Sequence, residues 1–442
     1  MVVGSRAGKA LPLAKDLVSK LGGFKVGGKV NSTLCPYRVL DLTDEKGFLA
    51  GRILADLGAE VIKIERPRGD RSRNIGPFYH DIPDPEKSLY WFAFNANKRG
   101  ITLNLECADG RGLFRKLAKR ADVVIESFPP GYLGNLGLGY RELSQLKGEL
   151  IMASITPFGQ TGPYHDFKAS DLTIWCMGGM AYISGDPDRA PLRVSFPQSY
   201  LHAGAAATAG ILVALYYREL TGEGQRVDVS MQEAVVRTLM NVRMFWDLNG
   251  IVLKRAGMFR TGLSTAANQR LIWHSRDGFV NFPIFGGAQG TPTNTALVRW
   301  MEEEGISDKY LSQMNWEEFD MGEATQEQFD RLERPISRFF ERHTMEELYQ
   351  GSIERGIMLY PVYSAKEICE DVQLKARDFW EGVYHPELDE MLTYPGSFVQ
   401  FLGERPKIYR RAPLIGEHNE EVYGELGLSR EDLVILKQTG II

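Results

Sequence analysis

A chain of 442 residues with a net charge of −5, 43% apolar and 25% charged residues, has the ordinary balance of a globular protein and is too long for one compact core. The acidic balance argues against nucleic acid as the main partner, since nucleic-acid-binding domains carry a basic excess. Cys35, Cys107, Cys176 and Cys369 lie far apart with no CxxC pair, which points to reduced thiols in a cytoplasm rather than a disulfide framework.

Residues 1–33 form a basic arm, with Arg6, Lys9, Lys15, Lys20, Lys25 and Lys29 against Asp16. A transit peptide would be richer in Arg and Ser, so the expectation is a surface arm. From residue 34 strand and helix patterns alternate. "YRVLDLT" (37–43) is β-rich, and "FLAGRILADLG" (48–58) has helical spacing and stops at Gly58. "EVIKIERP" (60–67) reads as the second strand and "GITLNL" (100–105) as the third. "GRGLFRKLAKRA" (110–121) is a helix, and "DVVIES" (122–127) and "ELIMASIT" (149–156) are further strands. This alternation predicts a mostly parallel, doubly wound α/β sheet over 34–235.

No apolar stretch reaches membrane-spanning length; "AAATAGILVALYY" (205–217) comes nearest and reads as a buried helix. The pattern stays largely helical to Leu239, broken by "TGEGQRVDVS". Residues 250–385 read as a smaller α+β domain with flanking linkers, with "DGFVNFPIFGGAQG" a hairpin arm and loop and 294–355 acidic helices. Residues 390–442 end in two amphipathic helical segments that return to the large domain.

The chemistry-bearing motifs are few. The first strand–helix turn, "LTDEKGFLAG", lacks the GxGxxG of dinucleotide-binding folds. The seven histidines are scattered without HxxxH or HxH spacing, so no metal centre is expected, and GxSxG is absent. Arg66, Arg68, Arg71 and Arg73 follow the second strand, and Asn97, Lys98 and Arg99 precede the third. Ligands bind beyond the carboxyl ends of strands in open α/β sheets, so these clusters fit either an anionic ligand or solvated loops. In "SDLTIWCMGGM" (170–180), Asp171 stands at a helix start, as a cap or as a reacting carboxylate, and position alone does not separate the two.

The motifs "GRILADLGAEVIKIERP", "FNANKRGITLNL", "ADVVIESFPPG", "MASITPFGQTGPY", "SDLTIWCMGGM", "TGEGQRVDVSMQEAV" and "RAPLIGEHNEEVYGELGL" occur in order over roughly residues 37–430. In this the sequence resembles the class III (family III) CoA-transferases. The resemblance implies a Rossmann-like large domain, a small domain and an interlocked dimer. It implies transfer of CoA from an acyl-CoA donor to a carboxylic acid acceptor, with coenzyme A as substrate and no tightly bound cofactor. It places the family's catalytic aspartate on Asp171, and CoA contacts on Arg66, Asn97, Lys98, Arg99 and, in the first turn, Lys46.

Two acids, Asp44 and Glu45, depart from the family pattern in that turn. The stretches "DLTDEKGF" and "NIGPFYHDIPDPEKS" look most like the benzylsuccinate CoA-transferase branch. That branch implies succinyl-CoA as donor, (R)-2-benzylsuccinate as acceptor and a homologous partner subunit. A non-catalytic CoA-binding or scaffold subunit of a heteromeric transferase is the competing expectation. A racemase ranks lower, because Ser170 stands where that branch has His and "PQSYLHAG" carries no acid.

Overall fold

The computed structural model describes residues 33–261, 267–401 and 405–442. The expected basic arm, but for its last residue, lies outside the described residues. Six parallel strands form the main sheet: β1 Arg38–Leu42, β2 Glu60–Glu65, β3 Arg99–Thr102, β4 Val123–Glu126, β5 Ile151–Thr156 and β6 Arg226–Ser230. Their order is β3-β2-β1-β4-β5-β6, with Val39 opposite Val61 on one side and Val123 on the other. The α/β expectation therefore holds.

The two faces of the sheet follow from the alternation of side chains along each strand. Val39, Val61, Val123, Ile125, Ile151 and Ala153 point to one face. There they pack on Ala50 and Leu54 of the Phe48–Asp56 helix and on Ala203, Ala207 and Ile211 of the Ser199–Thr221 helix. Leu40, Leu42, Ile62, Ile64, Val124 and Met152 point to the other. They meet Leu113, Phe114 and Leu117 of the Ala108–Lys119 helix and Val422 and Tyr423 of the Asn419–Gly424 helix. Tyr423 is buried and donates its hydroxyl to the Thr102 carbonyl at 2.8 Å, tying the end of the chain to β3.

The Ser199–Thr221 helix is longer than its apolar run predicts, and by length and composition it could cross a membrane. Its Ala203, Ala207, Ile211, Ala214 and Leu215 are instead buried against the sheet.

A separate core is drawn wholly from residues 267–359. Strands Ile272–His274, Phe279–Asn281 and Tyr360–Pro361 form an antiparallel sheet, covered by the helices Gly287–Glu303, Gln326–Phe340 and Met345–Arg355. Trp273, Phe282, Trp300, Phe339 and Phe340 fill it. The hairpin Trp380–His385 with Glu390–Pro395 lies on the other unit, where Val383 and Tyr394 pack against Phe48, Tyr90 and Trp91.

Candidate active site

Asp171 opens the short helix Asp171–Met177, but its side chain does not cap that helix. Ser170 does, accepting a hydrogen bond from the Thr173 amide at 3.3 Å. The Asp171 carboxylate reaches across to the Ser199–Thr221 helix, which has no side-chain cap of its own. Its Oδ1 accepts from the Gln198 amide at 2.9 Å, the Ser199 amide at 2.8 Å and the buried Ser199 hydroxyl at 2.6 Å. The Asp171 amide donates to the Tyr200 hydroxyl at 3.0 Å. A carboxylate at the start of a long helix meets backbone N–H groups that have no partner within the helix and can donate to it. Oδ1 is thus fixed by three donors, while Oδ2 has no hydrogen-bond partner among the described residues.

The first strand–helix turn and Asp171 act on the same two tyrosines, Tyr90 and Tyr200. β1 has β2 and β4 as neighbours, so the crevice where the winding reverses lies at the carboxyl ends of β1 and β4. Asp44 occupies it. Its amide donates to the Ser127 hydroxyl at 2.9 Å, and that hydroxyl donates back to Asp44 Oδ1 at 2.8 Å. Lys46 forms an ion pair with Asp44. Glu45 accepts from the Ser72 hydroxyl at 2.7 Å. Burial first, then the charges of Glu45, Asp171 and Asp44, push the Tyr200 phenol up to about 12, and burial with Glu45 raises Tyr90 as well. Both hydroxyls therefore stay protonated and able to donate. His202, one turn further along the same helix, is lowered by burial against the opposing pull of Asp171.

The structure separates the expected CoA contacts. Arg66 is exposed just beyond β2, where a phosphate-binding residue would stand, and Lys46 is half-buried in the crevice. Lys98 is wholly buried instead. Its ammonium donates to Asp41 Oδ2 at 2.8 Å and to the Phe48 carbonyl at 3.2 Å. Arg99 bonds Glu421 and Glu425 at 2.7 and 2.8 Å and also pairs with Glu60. Asn97 bonds Asp56 and the chain at Lys407–Arg410.

Lys98 and Arg99 each meet carboxylates inside the chain, as a buried charge needs a fixed counter-charge, and the neutral Asn97 is held by hydrogen bonds alone, so the polar groups expected along CoA are engaged within the chain. Arg73 follows the same logic, holding Glu65 through 2.6 and 2.8 Å bonds. Burial pushes the Asp41 carboxyl up, but Lys98 and Lys63 more than offset it and hold Asp41 below its ordinary value.

Sequence reasoning missed Ser199 and Tyr200, which bond Asp171 from another helix, and Tyr90, which lies within electrostatic reach of it. It also missed Glu126, a 5% exposed carboxyl at the end of β4 that burial raises to about 7 against bonds from Ser154 and the Phe128 amide. An acid ending an apolar strand beside the switch point was the available signal. Gly178 has a packing role, since a Cβ there would come within 2.5 Å of Val235 Cγ1. No group of three His, Cys, Asp or Glu side chains among the described residues is placed to hold a metal ion.

Comparisons with known proteins join these features to a lineage. The family model for CoA-transferase family III matches residues 34–419. The chain is 34% identical to the succinyl-CoA:(R)-benzylsuccinate CoA-transferase subunit BbsE of Thauera aromatica, over 92% of this chain and 97% of that one. It is 34% identical to a formyl-CoA:oxalate CoA-transferase of Streptomyces avermitilis, over 92% and 98%. Similarity to a succinyl-CoA–D-citramalate CoA-transferase of Chloroflexus aurantiacus is 32%, over 92% and 97%. Among solved structures, a CAIB/BAIF family protein from Brucella suis superposes with a TM-score of 0.75 at 27% identity, covering 90% of this chain and all of that one. The chain belongs to CoA-transferase family III, enzymes that work on CoA thioesters.

Proposed function

We propose that the protein is a subunit of a cytoplasmic CoA-transferase that takes CoA from succinyl-CoA and gives it to a dicarboxylic acid of the benzylsuccinate type. Asp171 is the reacting group, and the observation that carries this reading is the division of its carboxylate into one held oxygen and one free one. Oδ2 attacks the donor thioester carbonyl and expels the CoA thiolate, leaving a mixed anhydride. The thiolate attacks the aspartyl carbonyl, releasing the donor acid and leaving an aspartyl-CoA thioester. The acceptor carboxylate displaces the thiolate as a second anhydride, and the thiolate then attacks the acceptor acyl carbon, restoring Asp171. The three donors on Oδ1 would hold the carbonyl oxygen through these steps.

Arg66 and Lys46 are the cations within this reading's CoA path. The partner is a second copy or a homologous subunit, interlocked with this chain. It would cover the exposed Val213, Tyr216 and Leu220 of the Ser199–Thr221 helix and Met240, Met244 and Leu248 of the Met240–Asn249 helix.

A second reading is favoured by the same three bonds and by Asp44 and Glu45. The bonds also amount to a helix cap, and the two acids of the turn would repel a CoA thiolate. In that reading this chain binds and scaffolds while a homologous subunit reacts. One experiment separates the two. Incubating the assembled complex with donor acyl-CoA, reducing with borohydride and digesting should modify Asp171, and Asp171→Asn should lower kcat roughly a thousandfold or more. An unmodified Asp171 in an active complex, with turnover unchanged in the variant, leaves the scaffold reading standing alone.

A further inference from the structure

Within electrostatic reach of Asp171 stands an aromatic cluster that the acyl-transfer steps leave unused. Tyr90 and Phe94 lie four residues apart on the Leu89–Asn95 helix, so their rings share one face, with centroids 4.8 Å apart. Phe196 joins them from another segment, 6.0 Å from Tyr90 and stacked at 6.3 Å and 18° on Phe94. These are the separations of favourable ring pairs.

Tyr90 is 7% exposed and seats the cluster in the core beside Phe48 and Trp91, whereas Phe196 keeps 44% of its surface in water. Phe196 stands two residues before Gln198, whose amide holds Asp171 Oδ1. The Tyr90 hydroxyl lies within electrostatic reach of Asp171, Asp44 and Glu45. Phe196, with nearly half its surface in water, thus lies two residues along the chain from an amide that holds the carboxylate, and its ring pairs with Tyr90, which feels the Asp171 charge. The acids of the turn have partners of their own: Asp44 has Lys46 and Ser127, and Glu45 has Ser72.

We propose that Tyr90, Phe94 and Phe196 bind the aromatic ring of an aryl-substituted dicarboxylic acid and so set acceptor specificity. This rests on the transferase reading above. The ring of the acceptor stacks on the exposed face of Phe196, and its carboxylates are left to face the Tyr90 and Tyr200 hydroxyls.

The test uses the assembled enzyme with succinyl-CoA and two acceptors, benzylsuccinate and the ring-free methylsuccinate. In Phe196→Ala the ratio of kcat/KM for benzylsuccinate over methylsuccinate should fall about 10–100-fold, while Phe196→Tyr, which keeps a ring, restores it. An unchanged ratio in Phe196→Ala overturns the proposal, whatever the absolute rates. So does a selective loss against an acid carrying a trimethylammonium group, which would mark the rings as a cation site. If the wild type moves CoA to other acids and to neither of these two, the aryl acceptor is overturned and the transferase reading stands. If it moves no CoA at all, the transferase reading itself fails.

Discussion

Glu126 shows what burial does to a single carboxyl. Its ordinary value is 4.5, and in the folded chain it titrates near 7 because desolvation outweighs the bonds from Ser154 and the Phe128 amide. The unfolded chain loses this proton near pH 4.5 and the folded one near pH 7. Stability from this group is therefore fully present below about pH 4.5 and lost as pH rises to 7, amounting to about 3 kcal/mol. Glu126→Gln removes the titration. Its melting temperature relative to wild type should climb between pH 5 and pH 7 and then level off; a difference that stays flat across that range would contradict the assignment. Asp171 teaches a different lesson. Its helix-start position was legible in "ASDLTIW", but the helix it caps begins near Gln198, a relation that no local spacing reveals.

At the scale of elements, the Phe48–Asp56 helix sits so close to β1 that Gly51 within it and Gly47 just before it have no room for a side chain. A Cβ on Gly51 would overlap Asp41 Oδ2 and come 3.0 Å from Lys98 Nζ, and one on Gly47 would come 2.6 Å from Thr43 Cγ2. Gly51 thus serves close packing over a buried ion pair, and Gly47 close packing on Thr43. Gly51→Ala should cost about 1–3 kcal/mol in chemical denaturation, because the Asp41–Lys98 pair must move to admit it. A variant as stable as wild type would mean that the pair yields freely. The strands themselves were legible, because runs such as "RVLDL" and "EVIKIE" are apolar on both faces and lie between helical patterns. The basic runs were ambiguous at this scale: Arg73, Lys98 and Arg99 fitted either an anionic ligand or solvated loops, and the fold turns each toward a carboxylate of the chain.

The whole molecule holds two kinds of core. One wraps both faces of the parallel sheet and takes in the last residues, Ile441 and Ile442; the other is closed within residues 267–359. Phe340 is fully buried in the second, with its ring 5.5 Å from Trp273 and 5.6 Å from Phe282. Phe340→Ala should remove about 3–5 kcal/mol from that unit. Tryptophan fluorescence during denaturation should then show an early transition for the small unit while the sheet melts as before; one transition shifted as a whole would show that the two cores fold together.

The sequence by itself determined the alternation of strands and helices, the family and the helix-start position of Asp171, because periodicity, turn residues and ordered motifs are local properties. Only the tertiary structure decided which charges are spent on one another, which oxygen of Asp171 is held and which rings stand beside it. Those facts depend on segments tens to hundreds of residues apart meeting at the end of the sheet, where burial makes a charge find a partner or, as at Glu126, favours its neutral form.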